Sequence, residues 1–200
     1  MVQLYLRKEV NSLKYVIIGN SAAAIGAVEA IRNNDKEGSI VIISNENYHT
    51  YSRPLISYLL LGKTSEERMK YRDNNFYIEN KCELMLGKTA KKIDADKKQV
   101  ILDDGEYVSY DNLLIATGSS PFIPPIKGLD DVKNKFAFTT LDDAKQLENV
   151  LKKNMKVLIV GAGLIGLKCA EGISKKNLEI TCVDLSPKIL SSILDNESSE

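Results

Sequence analysis

The fold of this chain is decided by one stretch of its sequence, Val157-Leu158-Ile159-Val160-Gly161-Ala162-Gly163-Leu164-Ile165-Gly166. The four apolar residues that open it are typical of a parallel strand buried on both faces. The segment from Gly161 to Lys175 predicts a glycine turn that leads into a helix, and Glu179–Val183 predicts the next strand. Residues 157–183 therefore predict a βαβ motif.

The three glycines of this turn have the spacing of a dinucleotide-binding fingerprint. Gly161 makes the tight turn, Gly163 lets the backbone approach a pyrophosphate, and Gly166 lets the helix pack closely on the strand. Asp184 lies about 20 residues further on, where a carboxylate would accept the ribose hydroxyls and repel a 2′-phosphate. Because the amino end of a helix favours phosphate, the sequence predicts an NAD site formed by Gly161, Gly163, Leu164, Ile165, Gly166 and Asp184. The glycines alone would also fit a turn that binds nothing.

A degenerate copy of the same motif stands near the beginning of the chain. Tyr15–Ile18 and Ile40–Ile43 predict buried strands, and Ala22–Arg32 predicts the helix between them. Only the first glycine of the turn remains, and small residues take the other two glycine positions, so a pyrophosphate can still approach. Glu46 is the candidate ribose acceptor, with Asn45 as the alternative. A second nucleotide site is predicted at Gly19, Ser21, Ala22, Ala23, Ala24 and Glu46, and an empty turn fits this degenerate pattern equally well.

Between the two motifs the periodicity changes to short strand-like runs. An Asp104-Gly105 pair between such runs is a strong hairpin signal. The runs, which predict an antiparallel β-meander over about residues 84–110, are Leu84–Leu86, Lys88–Ile93, Gln99–Leu102 and Tyr107–Val108. A further buried strand is predicted at Leu113–Ala116. Helices are predicted at Leu55–Leu61 with Gly62 as C-cap, around Ser65–Tyr71, and at Leu141–Lys153.

The composition excludes several classes of protein. Lys and Arg number 27, as do Asp and Glu, so the chain lacks the basic excess typical of a nucleic-acid binder. Its 44% of hydrophobic residues excludes global disorder. The longest apolar run, Val157–Leu167, is far shorter than the ~20 residues of a membrane span. The three cysteines (Cys82, Cys169 and Cys182) form neither a disulfide framework nor a metal-ligand pattern, so we expect a cytoplasmic protein without a metal. Together with the balanced charge and the short apolar runs, this predicts no membrane and no nucleic acid as partner.

Two such motifs about 140 residues apart, with a meander and the strand end Ala116-Thr117-Gly118 between them, resemble the pyridine nucleotide-disulfide oxidoreductase superfamily. The resemblance covers about residues 14–200. Its other specific piece is Tyr51-Ser52-Arg53-Pro54-Leu55-Ile56-Ser57, which is similar to a Y-x-R-P-x-[LI]-S stretch of one branch. That branch contains NADH-dependent rubredoxin and ferredoxin reductases and the flavin part of NADH-dependent nitrite reductases. The resemblance implies that the first fold binds FAD and the second binds NAD(H).

The implied fold class is α/β, with two Rossmann-like βαβ folds in three layers, the meander inserted in the first and the second truncated. The implied domains are a tail at 1–12, the N-terminal part of an FAD-binding domain at 13–120, a linker and helix at 121–154, and the N-terminal part of an NAD-binding domain at 155–200. Family members typically have about twice this length, so the chain would leave apolar surface uncovered. It would be a fragment of a longer enzyme, or it would form a homo-oligomer.

Three further places gain a role only from the resemblance. Arg53 would contact the diphosphate or adenine of FAD, for which a guanidinium is a suitable donor. Ala90 would meet the adenine through its backbone, and Ala116, Thr117 and Gly118 would pass close to the flavin cofactor. Each also has an ordinary interpretation: a surface arginine, a strand alanine and an exit turn.

The chain also departs from the disulfide-reducing members of the superfamily. Leu55–Leu61, which corresponds to their redox-active helix, contains no cysteine, so direct hydride transfer through flavin is favoured over a thiol relay. Tyr58 stands where related flavoproteins often carry a lysine near flavin N5. His49, the only histidine, is a candidate for acid–base chemistry or an ordinary surface residue. The catalytic residues are unknown from the sequence.

The resemblance as a whole implies an FAD-dependent oxidoreductase that takes hydride from NADH. Its electrons would pass through flavin to rubredoxin, ferredoxin or a similar small redox protein, or to a small-molecule acceptor. The alternatives are an NADH oxidase-like flavoprotein and a non-catalytic nucleotide-binding fragment of such an enzyme.

Overall fold

The computed structural model of the protein describes residues 12–199, so the predicted tail at 1–12, except Ser12, lies outside the described residues. Its strands and helices in chain order are β1 (Lys14–Ile18), α1 (Ala22–Asn34), β2 (Ser39–Ser44), α2 (Ile56–Leu60), α3 (Glu66–Met69), α4 (Phe76–Glu79), β3 (Cys82–Leu86), β4 (Ala90–Asp94), β5 (Gln99–Leu102), β6 (Tyr107–Ser109), β7 (Asn112–Ile115), α5 (Leu141–Val150), β8 (Lys156–Val160), α6 (Leu164–Ile173) and β9 (Glu179–Val183). Both predicted βαβ motifs are present.

The described residues divide into two units. The first contains residues 12–51 and 71–118, and the second contains residues 52–70 and 119–199. Residues 52–70 group with the second unit, where α2 packs against α5 and α6. The domain boundaries that the resemblance implies stay predictions.

The first unit is built on a parallel sheet with the strand order β3-β2-β1-β7. Ile18, at the end of β1, stands beside Ile43 on one side and Ile115 on the other. Because alternate residues of a strand face opposite sides, Ile17 and its equivalents in β2 pack against α1, whereas Val16 and Ile18 pack against β5 and β6. The helix, the sheet and the meander form the three predicted layers.

The predicted extent of the meander is wrong at its amino end. Leu84–Leu86 belongs to β3, which pairs in parallel with β2 as the edge strand of the main sheet. The antiparallel meander contains only β4, β5 and β6, residues 90–109. A short apolar run does not reveal whether its partner strand is parallel or antiparallel, and this is why the sequence placed it in the wrong sheet. Helix α4 was not predicted either.

The second unit contains β8 and β9 as a parallel pair, with Val157 beside Ile180 and Val160 beside Val183. Helix α6 connects them, as predicted. Cys169 is buried, whereas Cys182 is exposed. The physical reason is that β9 is an edge strand of a two-stranded sheet.

Apolar side chains remain exposed on the strands of both units. The clearest cases are Ile115, Leu158, Val160 and Val183. The sequence predicted uncovered apolar surface of this kind for a truncated second fold. Among residues 12–199, no helix combines the length and the apolar character needed to cross a bilayer.

Helix α5 has a capping box that makes a testable contribution to stability. The Thr140 side chain accepts a hydrogen bond from Asp143 N at 3.0 Å, and the Asp143 carboxylate accepts from Thr140 N at 2.9 Å. Burial alone would raise the pKa of the Asp143 carboxyl, but the hydrogen bonds from Thr139 and Thr140 outweigh it, so this pKa lies below the usual 3.8.

We expect Thr140→Ala to lower the free energy of unfolding by about 1 kcal/mol. The carboxylate of Asp143 contributes fully above pH 3.8, and its contribution is lost as the pH falls through its lowered pKa. Asp143→Asn should therefore destabilise the protein at neutral pH and lose this effect in strong acid. Urea unfolding followed by circular dichroism across this range measures both. A penalty for Asp143→Asn that does not change with pH would contradict the assignment.

Candidate functional site

The first glycine turn connects β1 to α1 in the first unit. Gly19 has a φ of +115°, and its N–H donates to the carbonyl of Ile43 at 2.8 Å. A Cβ on Gly19 would overlap the carbonyl oxygen of Ala116 and lie 3.2 Å from the nitrogen of Thr117. The structure thus brings Gly19 together with two residues of the strand end that the resemblance singled out. The next residue, Gly118, has a φ of +70° and open space around it.

The amino end of α1 provides the groups that a phosphate requires. Ser21 is the N-cap residue of α1, and its side chain makes no hydrogen bond to the helix. The first turn of α1 contains no acidic residue. Ala22 and Ala23 are exposed, whereas Ala24 is fully buried against the sheet. The first-turn N–H groups therefore lack the side-chain cap seen at α5, and the small side chains leave them accessible.

A hydrogen-bond network connects Asn20, the middle residue of this turn, to α4 and to the segment that follows β2. The Tyr77 hydroxyl, on α4, donates to Asn20 Oδ1 at 2.6 Å and accepts from Thr50 N at 3.3 Å. Asn20 Nδ2 donates to the carbonyl of Tyr48 at 3.2 Å. Burial raises the pKa of Tyr77 above its usual 10.0, so the hydroxyl remains a donor at neutral pH. Sequence reasoning missed Tyr77 altogether.

The candidate ribose acceptor of the first unit lies just after β2. Glu46 is half-buried, and its carboxylate accepts the Tyr51 hydroxyl at 2.6 Å. Tyr51 opens the Tyr-x-Arg-Pro run, so the structure links two separately predicted features. The alternative acceptor, Asn45, is exposed.

Two further residues of the predicted FAD site, Arg53 and Ala90, belong to other elements of the chain. Arg53 belongs to the second unit, where it donates to the carbonyl of Thr139 at 3.0 Å. Ala90 lies in β4 on the meander side of the first sheet, on the opposite face from α1. The roles that the resemblance implies for both residues stay predictions.

The second glycine turn connects β8 to α6. Gly161 has a φ of +109° and donates to the carbonyl of Val183 at 2.7 Å. A Cβ on Gly166 would overlap the carbonyl oxygen of Gly161, whereas a Cβ on Gly163 would meet no described atom within 4 Å. Leu164 and Ile165 are exposed at the amino end of α6, which has neither a side-chain cap nor a first-turn acid. Each glycine thus occupies the environment that its fingerprint role requires.

Asp184 lies directly against this turn. Its carboxylate accepts hydrogen bonds from Ser186 N at 2.7 Å and from Ala162 N at 2.6 Å. These two bonds hold the pKa of Asp184 below its usual 3.8, so the group is ionised at neutral pH. A carboxylate beside the glycine turn can accept ribose hydroxyls. The donors and the carboxylate of this turn therefore fit a dinucleotide, and those of the first turn fit a nucleotide diphosphate.

The histidine and the buried cysteines have contacts that explain them without a catalytic role. The two ring nitrogens of His49 lie 3.1 Å and 3.0 Å from the carbonyl oxygens of Thr50 and Asp73. Burial raises the pKa of both Cys82 and Cys169 to about 11, so these thiols stay protonated. No group of acidic, cysteine or histidine side chains within residues 12–199 could hold a metal ion.

Two further places in the described chain bring charged groups together. Tyr58 has the ammonium groups of Lys168 and Lys63 at 4.8 Å and 5.5 Å from its ring centre, so positive charge lies beside it. A cavity of about 610 Å³ in the first unit is lined by Lys14 and Glu83 and by the β5–β6 hairpin. Val41 and Met85 complete the lining, which contains no residue of either glycine turn, so this cavity is not the candidate nucleotide site.

Comparison with known proteins gives close relatives over the same residues. Residues 13–200 match the family described as pyridine nucleotide-disulphide oxidoreductase. The chain is 35% identical to the "NADH-dependent phenylglyoxylate dehydrogenase subunit epsilon" of Aromatoleum evansii, over 96% of this chain and 46% of the relative. It is 32% identical to a "3-phenylpropionate/cinnamic acid dioxygenase ferredoxin--NAD(+) reductase component" of Photorhabdus laumondii, over 88% of this chain and 44% of that protein.

A solved structure of a similar reductase has the same fold over these residues. The reductase in the crystal structure of the covalent putidaredoxin reductase–putidaredoxin complex superposes with a TM-score of 0.82 at 28% identity, over 94% of this chain and 46% of that chain. The chain therefore spans slightly less than half the length of these three relatives, and within that span it has the fold of the solved reductase.

Proposed function

Because the chain belongs to the pyridine nucleotide-disulphide oxidoreductase family, we propose that it provides the nucleotide-binding turns of an FAD-dependent oxidoreductase that takes hydride from NADH. The first turn, with Gly19, binds the FAD diphosphate, and the second, with Gly163, binds the NADH pyrophosphate. The acceptor is a small redox protein of the rubredoxin or ferredoxin kind, or a small molecule. The names of the ferredoxin–NAD(+) reductase component and of the putidaredoxin reductase complex support this class of partner.

The observation that carries the proposal comes from the described helices of ten or more residues, α1, α5 and α6, of which α1 and α6 lack a side-chain cap. Helices α1 and α6 each follow a strand and a positive-φ glycine, and neither has a side-chain cap or an acid in its first turn. Helix α5, by contrast, has both a capping box and first-turn acids. Backbone N–H groups left without a side-chain partner at the amino end of a helix attract an anion, so the contrast favours diphosphate binding at α1 and α6.

The chain's own residues bind and orient the two nucleotides. Bound FAD would supply an acceptor for the hydride of NADH and a carrier that can release electrons singly or in pairs. The N–H groups of α1 and α6 hold the phosphates, Gly163 leaves room for the pyrophosphate, and Asp184 and Glu46 accept ribose hydroxyls. We assign no proton transfer to any side chain. The cysteine usage supports a cytoplasmic location, and the exposed apolar strands support burial by further chain or by a second copy.

Spectroscopy of the purified protein with added FAD tests the proposal. We expect a yellow protein whose flavin absorbance bleaches on addition of NADH and recovers when rubredoxin or ferredoxin is added. A colourless protein that binds ADP but not FAD would instead support a non-catalytic nucleotide-binding fragment. Oxygen consumption without reduction of either redox protein would support an NADH oxidase. Binding of none of these nucleotides would overturn both assignments.

Asp184 offers a separate test of the NADH site. We expect Asp184→Asn to raise the Kd for NADH about tenfold and to reduce the preference for NADH over NADPH, because the ionised carboxylate accepts ribose hydroxyls and repels a 2′-phosphate. Fluorescence titration with both nucleotides measures the two constants. Asp195→Asn is the matched control, since Asp195 is another carboxylate of the second unit that accepts a backbone N–H, from Ser198 at 2.8 Å. Equal losses in the two variants would contradict the role of Asp184.

A further inference from the structure

We propose that Tyr77 is a positioning residue for the first glycine turn: its hydroxyl fixes the Asn20 side chain and so sets the backbone of Gly19-Asn20-Ser21 for the FAD diphosphate. The inference rests on the proposed function of this turn. It assigns a role to α4, a helix that carries no recognisable motif.

Both polar atoms of the Asn20 side chain make a hydrogen bond. Its Oδ1 accepts the Tyr77 hydroxyl at 2.6 Å, and its Nδ2 donates to the Tyr48 carbonyl at 3.2 Å. Asn20 is the middle residue of the turn, so fixing its side chain restricts the backbone on both sides. Both bonds have the ordinary length of their kind, so each end of the Asn20 side chain is held.

Tyr77 is itself held rigidly. Its side chain is 4% exposed, and its ring makes edge-on contacts with Phe76 at 5.3 Å and with His49 at 4.8 Å. Its hydroxyl also accepts the N–H of Thr50, which anchors it to the segment that follows β2. A buried and packed side chain transmits its position to the group that it bonds, because it has few alternative rotamers.

The consequence for binding is preorganisation. A turn that is already fixed loses less conformational entropy when it binds a ligand. The N–H groups at the amino end of α1 then point at the diphosphate before it arrives. Without the hydroxyl, Asn20 Oδ1 and Thr50 N both lose their described partner, and the turn can adopt other conformations.

The matched variants are Tyr77→Phe, Tyr15→Phe and Thr50→Val. Tyr15→Phe removes a hydroxyl of the same unit that bonds Asp35 at 3.1 Å, at the other end of β1. Thr50→Val removes a hydroxyl that is buried beside Tyr77 and has no hydrogen-bond partner among the described residues. The first control matches the chemistry of the change, and the second matches its location.

Calorimetric titration of each protein with FAD and with ADP measures the effect. We expect Tyr77→Phe to raise both Kd values about tenfold, the loss of roughly one hydrogen bond, and both controls to bind like the wild type. In an Asn20→Ala background, Tyr77→Phe should add no further loss, because it acts through Asn20. The phosphorus NMR shifts of bound ADP should change in Tyr77→Phe and not in Tyr15→Phe. NADH affinity should not change in any variant.

The outcomes separate the inference from the function on which it rests. If the wild type binds FAD or ADP and Tyr77→Phe binds equally well, Tyr77 is not a positioning residue. The same conclusion follows if Tyr77→Phe and Tyr15→Phe lose equal affinity, or if the losses of Tyr77→Phe and Asn20→Ala add in full. If the wild type binds neither probe, the proposed function of the first turn is wrong and the inference falls with it.

Discussion

Replacing Gly19 by alanine should abolish FAD binding and lower the free energy of unfolding by about 2–5 kcal/mol. Two separate costs add at this position. An L side chain at a φ of +115° is strained, and its Cβ would overlap the carbonyl oxygen of Ala116, a backbone atom that cannot move without shifting β7. The same shift would displace the turn that is proposed to bind the diphosphate. Urea unfolding measures the stability, and flavin absorbance after gel filtration measures the retained FAD.

Gly105→Ala separates these two costs. Gly105 lies in the hairpin between β5 and β6 of the same unit, with a φ of +88°, and a Cβ there would meet no described atom within 4 Å. It therefore carries the conformational strain of about 1–2 kcal/mol without the overlap. Equal destabilisation by the two substitutions would show that the close approach of Gly19 to Ala116 contributes nothing.

The parts of the fold that depend on neighbouring residues could be predicted from the sequence. Strand β2, predicted at Ile40–Ile43, extends from Ser39 to Ser44, because a run of β-branched residues specifies a buried strand locally. The partner of β3 could not be predicted, because strand pairing depends on residues far apart in the chain. The exposure of Cys182 could not be predicted for a related reason, since it depends on which strands cover β9.

In the candidate site, too, the features set by neighbouring residues could be predicted, and the contacts between distant residues could not. The environments of Gly161, Gly163 and Gly166 follow from a six-residue pattern, and Asp184 lies against that turn as the pattern requires. The bond from Tyr77 to Asn20 joins residues 57 positions apart, through a helix of four residues with no sequence signal. The bond from Arg53 to Thr139 joins residues 86 positions apart. Contacts of this kind need the folded structure.

The second large effect is expected in the second turn, where two alanine substitutions should separate binding from folding. Gly163 has an ordinary φ of −77° and open space around it. Gly163→Ala should therefore leave the free energy of unfolding within about 0.5 kcal/mol and raise the Kd for NADH about a hundredfold, because the new methyl group occupies the place of the pyrophosphate. Gly166→Ala should instead destabilise the protein by about 1–3 kcal/mol, because its methyl group would overlap the carbonyl oxygen of Gly161.

The contrast between these variants is more informative than either alone. An apolar strand, a positive-φ glycine and a closely packed helix can form a βαβ motif that binds nothing, and such a motif needs Gly166 but has no use for Gly163. Only a ligand requires open space at Gly163. If a well-folded Gly163→Ala protein binds NADH as tightly as the wild type, then the open space is incidental and the second turn is not where the pyrophosphate lies, whatever Gly166→Ala does to stability.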